Sequence, residues 1–141
     1  MFHRIPGSPR WCQRQGVSTS PGLRYLIVDD HAPMRGILRA LLTGREDEVW
    51  EAADGSEAQS VYEQRRPDWV IMDMQMSPVN GLEATRWITT RHPEARVVMV
   101  TQYDDPELDR HARDAGALAC LTKDNLQAVH RFVHAPQVTH A

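Results

Sequence analysis

One lysine, Lys123, stands against 15 arginines in this 141-residue chain. Two readings of the bias are open: codon preference that spared one surface ammonium by chance, or a position needing a compact point charge where a planar guanidinium does not serve. Cysteine is scarce too. Cys12 and Cys120 are too few and too far apart for a disulfide framework or a zinc knuckle, so a reducing, cytoplasmic setting is expected. No apolar run approaches 18 residues, and the first 22 residues lack a continuous apolar stretch. Neither a membrane-spanning helix nor a signal peptide is therefore expected. Neither G-x-x-x-x-G-K nor G-x-G-x-x-G occurs, which argues against a nucleotide-binding enzyme.

An excess of basic charge is also missing. The net charge of −3 predicts no nucleic-acid or membrane footprint. Residues 1–22 hold Arg4, Arg10 and Arg14 with no acid, while the remainder carries −6. That division, with the Pro, Gly and Ser content of the first segment, predicts a disordered N-terminal extension over 1–22. A domain over 23–135 and a short tail over 136–141 follow.

From residue 23 onward, short apolar runs alternate with amphipathic segments. Strands are predicted at 23–28, 48–52, 69–72, 96–100 and 117–121. Between them lie helices at 33–42, 54–66, 82–91 and 107–115, with a last one at 125–134. On the first helix Met34, Ile37, Leu38, Leu41 and Leu42 recur at helical spacing. Runs such as WVIM and VVMV suit strands buried on both sides. The alternation predicts an α/β fold, a five-stranded parallel sheet with helices on both faces.

In such sheets ligands bind beyond the carboxyl ends of the strands. Asp29 and Asp30 follow the first strand, Asp73 ends the third, Thr101 ends the fourth and Lys123 follows the fifth. Two adjacent carboxylates about 4 Å apart repel by about 4 kcal/mol at an effective dielectric near 20, so they call for a cation, a proton or open water. Three carboxylates at one edge make a hard oxygen site suited to Mg²⁺. A hydroxyl and an ammonium beside them are equipment for holding a phosphoryl group, and a carboxylate is itself able to accept one. Taken singly, each residue has a plainer role: a helix cap for Asp30, an Asx-turn for Asp73, a strand-end turn for Thr101.

The segments VDDH, IMDMQM, NGLEATR, VMVT and LTKD together resemble a response-regulator receiver domain of two-component signalling, with wording similar to receivers of LuxR-type regulators but here without the DNA-binding domain. The resemblance implies a flavodoxin-like (βα)5 fold. It also implies that Asp73 is the phosphoacceptor and that Asp29, Asp30, Asp73 and the backbone carbonyl of Gln75 hold Mg²⁺. Thr101 and Lys123 would bind phosphoryl oxygens. The implied partners are a sensor histidine kinase or phosphotransfer protein and a downstream protein effector, with no membrane and no direct DNA contact by this chain; a homodimer is left open. The chemistry would be self-phosphorylation and self-dephosphorylation at most, in a transcription-regulating phosphorelay, rather than enzyme turnover.

Three positions depart from the family pattern. Ser77 stands where a proline is usual, with Pro78 one place later; Asp124 follows Lys123 in place of a frequent proline; and Cys120 replaces a Tyr or Phe that rotates on activation. Cys120 keeps open a degenerate receiver that binds partners without phosphorylation. A Mg²⁺-dependent phosphatase of the haloacid-dehalogenase type needs a second Asp two residues after the nucleophile, and Gln75 stands there. Tyr103, two residues after Thr101, is expected to lie across the approach of a hydrolytic water and to lengthen the life of the phosphorylated form.

Overall fold

The computed structural model describes residues 22–76 and 79–135, so the expected extension (Gly22 apart), the tail, and the Ser77 and Pro78 departure lie outside the described residues. Five strands and five helices alternate: β1 Arg24–Val28, α1 Ala32–Leu42, β2 Glu48–Ala52, α2 Gly55–Arg65, β3 Trp69–Asp73, α3 Gly81–Arg91, β4 Val97–Thr101, α4 Pro106–Asp114, β5 Ala119–Thr122 and α5 Leu126–His134. All strand pairs are parallel, in the order β2-β1-β3-β4-β5. The chain leaves β1 to one side for β2 and returns on the other side for β3. That reversal opens a crevice at the carboxyl ends of β1 and β3, where Val28 pairs with Met72.

The continuous apolar strands resolve into two faces with a period of two. Leu26, Val28, Val70, Met72, Val97 and Met99 pack toward α2, α3 and α4. Tyr25, Ile27, Trp69, Ile71, Val98 and Val100 pack toward α1 and α5 through Leu38, Leu42, Val129 and Val133. Among the described residues no helix is long and apolar enough to cross a membrane.

Side chains set most of the helix starts. The Asp54 carboxylate accepts the Glu57 N–H at 2.9 Å, and Asn80 and Glu83 form a reciprocal capping box on α3. Asp105 caps α4 ahead of Pro106, and Asn125 accepts from Ala128 at the start of α5.

Two sequence expectations shift. Ile37 is 51% exposed: Met34, Leu38 and Leu42, spaced by four, form the sheet-facing stripe, and Ile37 lies about 100° around the helix from Leu38. The fifth strand begins at Ala119 because Gly116, at φ 109°, and Ala117 are used to close α4. Ala117 N–H reaches back to the Ala112 carbonyl, leaving Leu118 to begin the pairing with Val97.

Gly81 sits where the first turn of α3 meets the end of β3. A Cβ there would lie 2.0 Å from the Asp73 carbonyl oxygen, whereas one on Gly36 in α1 would meet nothing within 4 Å. The same substitution should therefore have opposite signs at the two sites. In urea titrations Gly81→Ala should cost about 2 kcal/mol or more, and Gly36→Ala should gain roughly 0.5–1 kcal/mol.

Candidate functional site at the carboxyl edge of the sheet

Each predicted side chain is delivered by the end of a strand. Asp29 extends β1, its N–H donating to the Ala52 carbonyl at 3.0 Å. Asp73 is the last residue of β3 and Thr101 the last of β4. Lys123 follows β5 and is fixed by its own N–H, which donates to the Thr101 carbonyl at 2.8 Å. The loop after Asp73 is held at both ends: Met74 N–H donates to the Val100 carbonyl, and Gly81 N–H to the Met74 carbonyl, each at 3.0 Å.

Asp29, Asp30, Asp73, Gln75, Thr101 and Lys123 all line one cleft of about 470 Å³. Asp29 is fully buried and both its oxygens are engaged. Oδ1 accepts the His31 N–H at 2.9 Å, and Oδ2 accepts from Lys123 Nζ at 2.8 Å. Lys123 Nζ also lies 3.1 Å from Asp73 Oδ1. One ammonium thus bridges two buried carboxylates.

The acidic pair read from the sequence divides in its surroundings. Asp30 is exposed, and it is not the cap of α1: that position belongs to His31, which makes no side-chain cap bond. The buried pair is Asp29 with Asp73 rather than Asp29 with Asp30. Asp29, Asp30 and Asp73 still offer one oxygen each within 4.8 Å of one another, an all-oxygen donor set of the kind a hard divalent cation favours. For Asp73 and Thr101 the plain turn roles coexist with the site. The Gln75 backbone lies close enough to the Asp73 carboxylate to favour its charged form, and the Tyr103 N–H donates to Thr101 Oγ1 at 3.2 Å. Accepting that bond orients the hydroxyl and leaves its proton available to a ligand.

Burial is the largest influence on Asp73, and with the charge of Asp29 it pushes the carboxyl above its ordinary range; Lys123 and the Gln75 backbone offset only part of this. Burial of Lys123 disfavours its charge, but the bonds and charges of Asp29 and Asp73 outweigh that and hold its pKa up. Both shifts follow from packing three charges into one partly closed cleft.

Sequence reasoning missed Arg35, which donates to the Asp29 carbonyl from α1 and pairs with Glu51 at 2.8 Å, fastening the β1–α1 loop. An arginine one turn into a helix carries no signal of that role. Met34 and Gln102 also line the cleft. Tyr103 does not: it is 53% exposed, so the shielding expected from the sequence has no counterpart in this arrangement. Cys120 packs against the core beneath α4. Burial, with the charge of Asp109, raises its thiol pKa against the opposing Arg113, a direction that disfavours the reactive thiolate.

The family profile of the response regulator receiver domain matches residues 25–133. Over 131 residues the chain is 34% identical to the transcriptional regulatory protein DegU of Brevibacillus brevis, covering 84% of this chain and 55% of that protein. It is 38% identical over 104 residues to the response regulator GacA of Pseudomonas viridiflava, covering 72% and 48%. The chain thus spans about half the length of these curated relatives. A two-component response regulator of the LuxR family from Aurantimonas sp. SI85-9A1 superposes with a TM-score of 0.70 at 29% identity, over 84% of this chain and 89% of that one. One chain of the CheX-CheY-BeF3-Mg²⁺ complex from Borrelia burgdorferi aligns with a TM-score of 0.73 at 26% identity, over 83% of this chain and 92% of that one.

The raised Asp73 pKa fixes the sign of a stability effect. A carboxyl held above its ordinary range favours the folded state when protonated; that contribution is complete below pH 3.8 and is lost as pH rises through the shifted value. In chelator at pH 7, Asp73→Asn should therefore unfold at a higher temperature than the wild type. The difference should vanish below pH 3.8, as followed by circular dichroism.

Proposed function

Because the chain belongs to the response regulator receiver domain family and is therefore a phosphoacceptor signalling domain of the two-component type, we propose that Asp73 is its phosphoacceptor. The observation that carries this is Lys123 Nζ held 3.1 Å from Asp73 Oδ1 and 2.8 Å from Asp29 Oδ2. An ammonium shared by a buried nucleophile and its neighbour is already placed for the extra negative charge that a phosphoryl group brings.

Asp29, Asp30 and Asp73, with the carbonyl of Gln75, would hold Mg²⁺, in keeping with the oxygen donor set and with the Mg²⁺ of the similar Borrelia complex. Bound there, Mg²⁺ supplies neutralisation of carboxylate and phosphoryl charge. The protein's own part is positional. An Asp73 carboxylate oxygen forms the new O–P bond as the P–N bond of a phosphohistidine breaks, and the departing imidazole keeps the electron pair and takes a proton from solvent. Lys123 and the Thr101 hydroxyl donate to phosphoryl oxygens. Gln75 at the second position after Asp73 provides no general acid, so the phosphatase reading has no support in the site.

The signal passes to the β4–α4 loop, since Thr101 Oγ1 holds the Tyr103 N–H. With Cys120 at the usual aromatic position, no ring rotates there. The donor is a sensor histidine kinase or phosphotransfer protein in the cytoplasm. The output is a change of protein contacts in a regulatory pathway of transcription, in keeping with the similarity to the transcriptional regulatory protein of Brevibacillus brevis.

Incubation with acetyl phosphate and Mg²⁺, followed by intact-mass measurement, should add one phosphoryl group to the wild type and none to Asp73→Asn. Lys123→Arg should slow the gain about 100-fold, since a guanidinium displaced by about 1 Å from the ammonium position loses that much. An unmodified wild type under saturating donor would remove the phosphoacceptor assignment.

A further inference from the structure

Away from the acidic cleft, α5 carries His130 and His134, four residues apart and so one turn apart on the same face. We propose that these two imidazoles form a binding site for a divalent transition metal of the Zn²⁺ type. Their ring centroids lie 4.4 Å apart. Two imidazoles on adjacent tetrahedral positions of one ion, with nitrogen-to-metal bonds of about 2.0–2.1 Å, place their centroids roughly 5 Å apart, within about 1 Å of the spacing these two rings already have.

A second feature is independent of the spacing. His134 Nε2 lies 3.1 Å from the carbonyl oxygen of Leu42, the last residue of α1. A carbonyl only accepts, so Nε2 carries the proton and Nδ1 keeps its lone pair. Donation of the remote ring N–H to a backbone carbonyl is the device that fixes tautomer and orientation in a metal-ligating histidine. The ring that would give up most freedom on binding, at the end of a helix, is thereby held in advance.

The chemistry separates this site from the acidic one. Imidazole suits Zn²⁺, Cu²⁺ and Ni²⁺, whereas Mg²⁺ prefers carboxylate, carbonyl and water. The chain supplies two ligands and solvent completes the shell. Because the ion would grip two successive turns of α5, the folded helix should bind it more tightly than the unfolded chain, and binding should stabilise the fold by mass action.

Titration calorimetry of ZnCl2 into the full chain, with Mg²⁺ in large excess, should record a binding event that weakens at least tenfold in His130→Ala and in His134→Ala. Both variants should keep wild-type Mg²⁺ affinity, and Zn²⁺ should raise the thermal midpoint of the wild type only. His130→Ala leaves the Leu42 bond in place, so its loss of Zn²⁺ affinity, with an unchanged midpoint in chelator, reports a missing ligand and not a folding defect. No Zn²⁺ binding by the wild type would overturn the proposal. So would unchanged affinity in the His130 variant, which would move the ion to another site.

Discussion

Two buried carboxylates, Asp29 and Asp73, share one ammonium, that of Lys123. With oxygens within 4.8 Å of each other, they repel by about 3 kcal/mol or more at an effective dielectric near 20. An arrangement of that cost persists only where its partner is held in place. Lys123 is held by its backbone N–H on the Thr101 carbonyl and by a side chain that is only 11% exposed. Loss of the ammonium would leave two buried charges with only backbone groups, of His31 and Gln75, to offset them. Loss of the Asp73 charge would instead relieve the site.

The sheet order makes this meeting unavoidable. β1 and β3 are neighbours, β4 lies beside β3, and β5 closes the edge, so residues far apart in the chain end on one rim. Backbone bonds from the strand ends then set the loops to within hydrogen-bond tolerance, and at Gly81 a single added carbon would disturb the carbonyl of Asp73 itself. Stability and chemistry thus depend on the same few atoms at this edge. That coupling suits a switch, because any group that joins the cleft competes with contacts the resting fold already uses.

Much of this was legible in the sequence, for physical reasons. Apolar strands ending in Asp, Asp, Thr and Lys are unusual enough that strand alternation alone brought the site residues to one edge. The elements fell within one residue of their observed bounds, except where Gly116 and Ala117 closed α4 and delayed β5 by two. Side-chain direction was less legible. Adjacent aspartates looked alike in the chain, yet Asp29 is fully buried and Asp30 exposed, because the backbone leaves the sheet between them. Ile37 matched the apolar spacing of α1 and is still half exposed, and Tyr103 is half exposed and does not line the cleft it was expected to shield. Loop and helix-edge orientations depend on tertiary contacts such as Arg35 on the Asp29 carbonyl, which no local pattern encodes.

The scarcity of lysine provides the most direct test. With Lys123 the sole lysine of the chain, protein labelled with ¹³Cε-lysine gives one side-chain signal, and its titration in chelator reports the ammonium at the centre of the cleft. The wild type should titrate with a midpoint above 10.5 that falls back in Asp73→Asn, because the two carboxylates outweigh burial. A wild-type midpoint at or below 10.5 would contradict it, since burial would then be acting without the compensating pair.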